Sequence, residues 1–183
     1  MEVSFMAQSR RLSAAAIVSC ALFAALTAVC SQIQIPLSMV PMNLALFAVH
    51  LCGAVLGPVY GTLSIIVYVL LGLCGLPVFA GFSAGAGVLF GSTGGYVLGY
   101  ILDALIVGMI TRKWGASTKV CCVSMGLGLV ICYMFGTVWF MVITGNPLWA
   151  SLMTCVFPFL IGDAAKILLA ASLAARLKRV LYL

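Results

Sequence analysis

The sequence predicts an all-α integral membrane protein with six transmembrane helices in a single domain, residues 1–183. Of the 183 residues, 65% are apolar and only 7% are charged. Soluble domains are roughly 45–50% apolar and about 25% charged, and this chain has too few polar residues to cover a soluble surface. Since a bilayer span takes about 20 mostly apolar residues, the chain can supply about six. The composition excludes a soluble domain, a disordered chain and a nucleic-acid binder.

Polar, Pro-containing or Gly-rich breaks divide the apolar sequence into six predicted helices. They cover residues 12–33, 44–56, 59–73, 95–110, 119–143 and 148–175. The second and third are short for full spans. Short helices are tolerated where they are buried in protein or line a cavity, so a chain of four or five spans with a re-entrant pair is the alternative.

The first predicted helix resembles a signal peptide at its start, because Arg10 and Arg11 precede the apolar run. The run continues for nearly 20 residues to Val29, however, which is longer than the usual apolar region of a signal peptide. Val29 is also too bulky for a good processing site before Cys30. We therefore expect a retained transmembrane helix.

The basic residues indicate the orientation in the membrane. Three groups lie before helix one, between helices four and five, and after helix six: Arg10 and Arg11; Arg112, Lys113 and Lys119; Arg176, Lys178 and Arg179. An even number of spans separates successive groups, so all three lie on one face. The positive-inside rule makes that face cytoplasmic. We predict a multi-pass protein of the plasma (inner) membrane with both termini in the cytoplasm.

Two oppositely charged residues lie inside the sixth predicted helix. Asp163 precedes Lys166 by three residues, so the two side chains share one helix face. An ion at bilayer depth costs several kcal/mol and usually pairs or faces a polar cavity. The two side chains either neutralise only each other or also contact a polar or anionic ligand. Asp103 is either a partner of such a site, a packing contact or a residue near the cytoplasmic end, and His50 fits a packing role.

Small residues mark places where helices approach each other. The stretch 91–96, GSTGGY, opens the fourth predicted helix with free backbone N–H groups that suit a polar group or a carboxylate. It has no P-loop lysine. Ala21 and Ala25 form a small-residue face on helix one. Eight cysteines without a CxxC pair, and a single histidine, predict neither a metal site nor a disulfide framework.

Four segments together resemble the BioY family of biotin transporters. They are GPVYG at 57–61, GLCGLPVFAG at 72–81, GSTGGY at 91–96 and FPFLIGDAAK at 157–166. The resemblance covers roughly residues 34–171, in order and with fitting spacing. It implies a six-helix substrate-binding S component of an energy-coupling-factor (ECF) transporter, which binds biotin near the external side beneath its first and third loops.

The resemblance also implies partners and site residues. A transmembrane coupling subunit would dock on Ala21 and Ala25, and two ATPases would hydrolyse ATP, since this chain has no Walker motif. Some family members work without a dedicated module. The ligand would be biotin, with no further cofactor, and self-association is left open. The candidate binding residues are Asp163, Lys166, Asn43, Gln34, Tyr68, Phe79, Gly81, Gly94, Gly95 and Tyr96.

Each group of candidates has an expected role. Asp163 accepts a ureido N–H of biotin, while Lys166 donates to the ureido oxygen or pairs with the tail carboxylate. Asp163 lies about 15 residues into the predicted sixth helix, and this depth favours the head-group role. The aromatic candidates form apolar walls, and Asn43 and Gln34 close the site from the first loop.

Three other functions remain open at this point. The same cavity would serve a facilitator or a transporter of another small carboxylate without a coupling module. A membrane enzyme would use Asp163 and Lys166 as acid and base, but it lacks a third catalytic group, so we predict that the chain is not an enzyme. A structural or assembly protein explains the glycines but not the charged pair.

Overall fold

Long apolar helices form most of the protein, because lipid cannot pair with backbone N–H and C=O groups and a helix satisfies them internally. The computed structural model describes residues 14–35 and 42–181. The helices are α1 Ala14–Gln32, α2 Ala45–Leu73, α3 Ala86–Leu89, α4 Gly94–Trp114, α5 Thr118–Thr144, α6 Leu148–Cys155 and α7 Leu160–Leu181. Strands β1 (Gln34–Ile35) and β2 (Met42–Asn43) pair antiparallel, and Ala80–Phe82 forms a 3-10 turn.

The described residues thus form seven α-helices, and the predicted count of six is wrong. By length and composition, α1, α2, α4 and α5 are candidate membrane spans. Helices α6 and α7 are bent by 51° at the break between them and make a fifth candidate if counted as one. The difference from the prediction has three sources: a joined pair, a divided helix and the small helix α3 within the Gly-rich connection.

The joined pair is α2, which contains both the second and the third predicted helices. Gly57 breaks it, with φ 76° and ψ −174°, a backbone conformation that glycine adopts without strain. Across this break the Cys52 thiol lies 3.5 Å from the Gly61 carbonyl oxygen, although nine residues of straight helix would span about 13 Å. The limbs 45–56 and 58–73 therefore fold back on each other.

The divided helix is the sixth predicted one, which becomes α6 and α7. Pro158 lies in the break; it has no N–H to donate and disfavours a helical conformation at the residue before it. As a consequence Asp163 lies in the first turn of α7. The expectation that it lies about 15 residues into a continuous helix is wrong, and the charged pair is near a helix start.

Apart from Lys166, the basic residues that the structure describes lie at one end of the bundle. Arg112 and Lys113 are in the last turn of α4, and Lys178 and Arg179 are in the last turn of α7. A core cluster that includes Val55, Val107, Cys121 and Ala174 joins the turn of α2, the end of α4, the start of α5 and the end of α7. These helix termini therefore meet at the same end, as the charge pattern predicted. Arg10 and Arg11 lie outside the described residues.

Glycines let α2, α4 and α5 approach closely around a buried polar pair. A β-carbon on Gly53 would lie 2.7 Å from the Ala104 carbonyl oxygen, so α2 and α4 are in backbone contact there. Nδ1 of His50 lies 3.0 Å from Oδ2 of Asp103, and both side chains are fully buried. A β-carbon on Gly128 of α5 would overlap Asp103 Oδ1. The pair thus fixes the spacing of three helices.

This packing makes two glycines of α5 respond differently to the same substitution. A Gly128→Ala change is expected to lower the free energy of unfolding by about 1–3 kcal/mol, because the added methyl collides with the Asp103 carboxylate. Gly126→Ala is the matched control: no atom lies within 4 Å of the added carbon, and alanine favours a helix by up to about 1 kcal/mol over glycine. Thermal unfolding in detergent measures both. Equal midpoints for the two variants would contradict this packing.

Candidate ligand-binding site

The candidate site is built around the charged pair of α7. Nζ of Lys166 lies 2.7 Å from Oδ1 of Asp163. The two residues are only 9% and 4% exposed, so the contact forms largely out of reach of solvent. Charged hydrogen bonds in such surroundings are stronger than neutral ones, and each charge needs the other to offset its desolvation.

Two other elements form hydrogen bonds with the charged pair. The Lys166 ammonium donates to the backbone carbonyl of Asn43 in β2 at 2.6 Å, and the Tyr133 hydroxyl of α5 donates to Asp163 Oδ2. An ammonium has three donors and each carboxylate oxygen has two lone pairs. Among the described residues, one donor of Lys166 and at least one lone pair of Asp163 therefore remain for another molecule.

A small cavity of about 60 Å³ adjoins this pair. Its walls come from β2, α2, α4, α5, α6 and α7, with Phe159 in the break between the last two. They are Met42, Asn43, Leu46, Tyr96, Tyr100, Cys132, Tyr133, Cys155, Phe159, Asp163 and Lys166. The cavity is mostly apolar, and its charged groups converge at one place, which is the usual composition of a small-molecule site.

A larger cavity of about 280 Å³ adjoins the first. Asn43, Tyr96 and Tyr100 line both cavities. The remaining walls are Tyr68, Phe79, Ala80, Ser83, Gly87, Val88, Gly91, Ser92, Thr93 and Val97. Together the two volumes reach the lower end of the range of ligand pockets, about 300–1,000 Å³. The arrangement suits an elongated molecule with a polar head and an apolar body.

The end of α1 holds the connection between α2 and α4 over the larger cavity. The Gln32 amide donates to the Phe79 carbonyl at 3.0 Å and accepts the Phe82 N–H at 2.9 Å. The Ser31 hydroxyl donates to the Val78 carbonyl at 2.5 Å. The Phe79 ring is thereby held edge-on against Tyr68, with ring centroids 5.6 Å apart. These hydrogen bonds attach this wall of the larger cavity to the end of α1.

The structure brings six of the ten predicted binding residues to the walls of the two cavities. They are Asn43, Tyr68, Phe79, Tyr96, Asp163 and Lys166. The Tyr96 hydroxyl also forms a hydrogen bond of 3.1 Å with the Thr137 hydroxyl, which orients the ring between the two cavities.

The other four lie next to the cavity walls without lining them. Gln34 pairs with Asn43 in the β-hairpin, and its amide approaches Gly81, which adopts φ 69° in the 3-10 turn. Gly94 is packed on the backbone of Leu89 and Gly95 on the side chain of Trp139. Their positions let the start of α4 approach α3 and α5. Residues 36–41 of the first loop are outside the described part of the chain.

The remaining predicted residues lie away from the cavities. Ala21 and Ala25 are exposed on α1, as a docking surface requires. The buried His50 and Asp103 line neither cavity. Among residues 14–35 and 42–181, no cluster of three or more His, Cys, Asp or Glu residues could hold a metal ion.

Sequence reasoning missed Tyr133, Tyr100 and Gln32. Tyr133 binds Asp163 from a helix 30 residues away, and nothing in its neighbours distinguishes it from other aromatic residues of apolar helices. Gln32 had a usable signal, since an amide at the end of an apolar run needs hydrogen-bond partners.

The chain is similar in sequence to known transporters. The BioY family model matches residues 6–182. The biotin transporter BioY of Thermotoga maritima is 39% identical over 90% of this chain and 96% of its own length. The probable biotin transporter BioY of Pyrococcus horikoshii is 38% identical over 86% and 93%.

A solved structure shares the fold. It is the crystal structure of the S-component for biotin from an ECF-type ABC transporter, with a TM-score of 0.83, 26% identity and coverage of 90% of this chain and 91% of that one. The predicted ECF S-component-like fold is confirmed by this match. With the family model matching nearly the whole sequence, the chain belongs to the BioY family.

Proposed function

We propose that this multi-pass membrane protein is a single transmembrane domain that captures biotin for uptake. The observation that carries the proposal is the buried Asp163–Lys166 pair on the wall of a cavity. Among the described residues, the pair keeps one donor and at least one acceptor free. The relatives named as biotin transporters and the S-component for biotin with the same fold support biotin as the ligand.

The chemistry of the pair matches the head of biotin. A ureido group offers an oxygen acceptor flanked by N–H donors, and the spare Lys166 donor and Asp163 lone pair present the complementary order. The apolar rings and chain would lie against Tyr96, Tyr68 and Phe79 in the adjoining cavity. Asn43 would close the site, because its carbonyl holds Lys166 and its side chain accepts the Ala45 N–H at 3.1 Å. The predicted residues that pack next to the cavity walls would keep these walls in place; they are Gln34, Gly81, Gly94 and Gly95.

We further propose the orientation in the plasma membrane. The basic helix ends face the cytoplasm by the positive-inside rule, which places both termini inside and both cavities toward the exterior. The folded-back limbs of α2 support an even number of passes. Biotin would therefore be captured from outside.

The relatives are named as transporters, and the prediction that the chain is not an enzyme is confirmed on this ground.

Energy for uptake would come either from an ECF module, made of a coupling subunit and two ATPases, or from no module at all. The exposed Ala21 and Ala25 support the first version. A facilitator of another small carboxylate is the second candidate, since the same cavities would accept an apolar chain with a polar end.

Calorimetric titration of the purified protein in detergent tests the ligand. Biotin is expected to bind more tightly than desthiobiotin, which keeps the ureido group but lacks the thioether ring, and far more tightly than lipoate, which has no ureido group. Loss of a hydrogen bond to a charged group costs about 1.5–3 kcal/mol, so lipoate should bind at least about tenfold more weakly. Equal affinities for biotin and lipoate would exclude recognition of the ureido head.

Lys166→Ala is expected to weaken biotin binding by about tenfold or more, because it removes the charged donor and leaves Asp163 without its counter-charge. Lys119→Ala, at the exposed basic end, is the matched control and should bind as the unmodified protein does. Binding is compared at a temperature below both unfolding midpoints. A Lys166→Ala protein with a lower midpoint and unchanged affinity would show that the pair is only structural.

The docking role of α1 is tested separately from binding. Combined Ala21→Trp and Ala25→Trp changes add bulk to an exposed face, so biotin binding should stay unchanged while uptake stimulated by a coexpressed ECF module is lost. Val142→Trp is the control, since Val142 is 77% exposed on α5. If uptake is equally high with and without the module, in the α1 variant and in the Val142→Trp control, the result would favour transport without a coupling module.

A further inference from the structure

Among the described residues, no charged side chain lines the larger cavity. Every residue that lines it is apolar, aromatic, amide or hydroxyl-bearing. In the sequence, no Lys or Arg occurs between Arg11 and Arg112. Lys166 lines the smaller cavity and already contacts Asp163 and the Asn43 carbonyl.

The hydroxyl groups of Ser83, Ser92 and Thr93 add to the polarity that the Asn43 amide and the tyrosine hydroxyls give the larger cavity. Ser83 donates to the Ala80 carbonyl at 2.7 Å and can still accept. Thr93 occupies the N-cap position of α4 but makes no side-chain capping hydrogen bond there. Ser92 lies beside it on the cavity wall. Each of these groups is neutral, and a hydroxyl can donate to a carboxylate oxygen or accept from an amide N–H.

This composition has a consequence for the tail of the ligand. A carboxylate that left water without a counter-charge would carry a large desolvation cost, so the tail must keep its water or rely on the hydroxyls. Neither arrangement distinguishes a carboxylate from an amide of the same size. Selection for charge would need a cation or free backbone N–H groups at the start of α4. There the N–H groups of Gly94, Tyr96 and Val97 already donate to backbone carbonyl oxygens. Among the described residues that line the two cavities, the one cation is Lys166, which is engaged with the head-group site.

We infer that the larger cavity is a tail subsite that does not recognise charge, so that the protein also binds biotin whose carboxyl group is converted to an amide. The inference rests on the proposed function and adds a ligand class to it. Recognition would lie in the ureido end, at Asp163 and Lys166, and substitution at the carboxyl end would be tolerated within the available volume.

Titration with biotin and with biotinamide tests this directly, because the two differ by the charge and hardly in size. The unmodified protein is expected to bind them with affinities that differ by less than about tenfold. A paired carboxylate would contribute a charged hydrogen bond, whose loss corresponds to about tenfold or more. Biotinamide weaker by that factor, with biotin still tight, would overturn the inference alone. Failure of both ligands would overturn the proposed function and the inference with it.

Two variants at Ser92 test whether the carboxyl tail of biotin lies in the larger cavity. Ser92→Lys places a cation in the larger cavity and is expected to favour biotin over biotinamide by about tenfold. Ser92→Gln has a similar length without charge and should keep the ratio of the unmodified protein. Unfolding midpoints identify a variant that has lost its fold. A folded Ser92→Lys protein with an unchanged ratio would mean that the tail lies elsewhere, and the inference would be wrong.

Discussion

The buried ammonium of Lys166 is the constraint on which the arrangement of the site depends. An isolated charge among apolar helices is costly, and here three separate elements offset it: Asp163 from the same helix, the Asn43 carbonyl from the β-hairpin and, through Asp163, the Tyr133 hydroxyl of α5. These contacts tie α5, α7 and the first loop together at one place. Among the described residues, the same ammonium keeps one donor that makes none of these contacts.

The two ends of the bundle differ in physical character. At the basic end, alanine, valine and glycine let the helices pack closely, with the turn of α2 against Gly108 of α4. At the other end, tyrosines, hydroxyls and a chain of backbone hydrogen bonds enclose two cavities. The buried His50–Asp103 pair lies outside both cavities and holds three helices in register. Close helix packing and the two cavities therefore lie at different ends of the bundle.

The sequence predicted what depends on local pattern. Apolar runs located the long helices, and the spacing of Asp163 and Lys166 put both side chains on one face. It did not predict that Gly57 folds α2 back so tightly that two helices form one element, nor that Pro158 divides the last helix and moves Asp163 to a helix start. Tyr133 and the Asn43 carbonyl were missed because these partners are set by tertiary packing across 30 and 123 residues.

We propose that the Asp163–Lys166 pair holds the ureido head of biotin, and the carbonyl stretching frequency of the ureido group reports this contact most directly. Biotin labelled with ¹³C at the ureido carbon can be measured by isotope-edited infrared difference spectroscopy in the bound state. We expect a shift to lower frequency, relative to free biotin in water, that disappears in the protein carrying Lys166→Ala. A bound-state frequency that is the same in both proteins would contradict it and would move Lys166 away from the ureido oxygen.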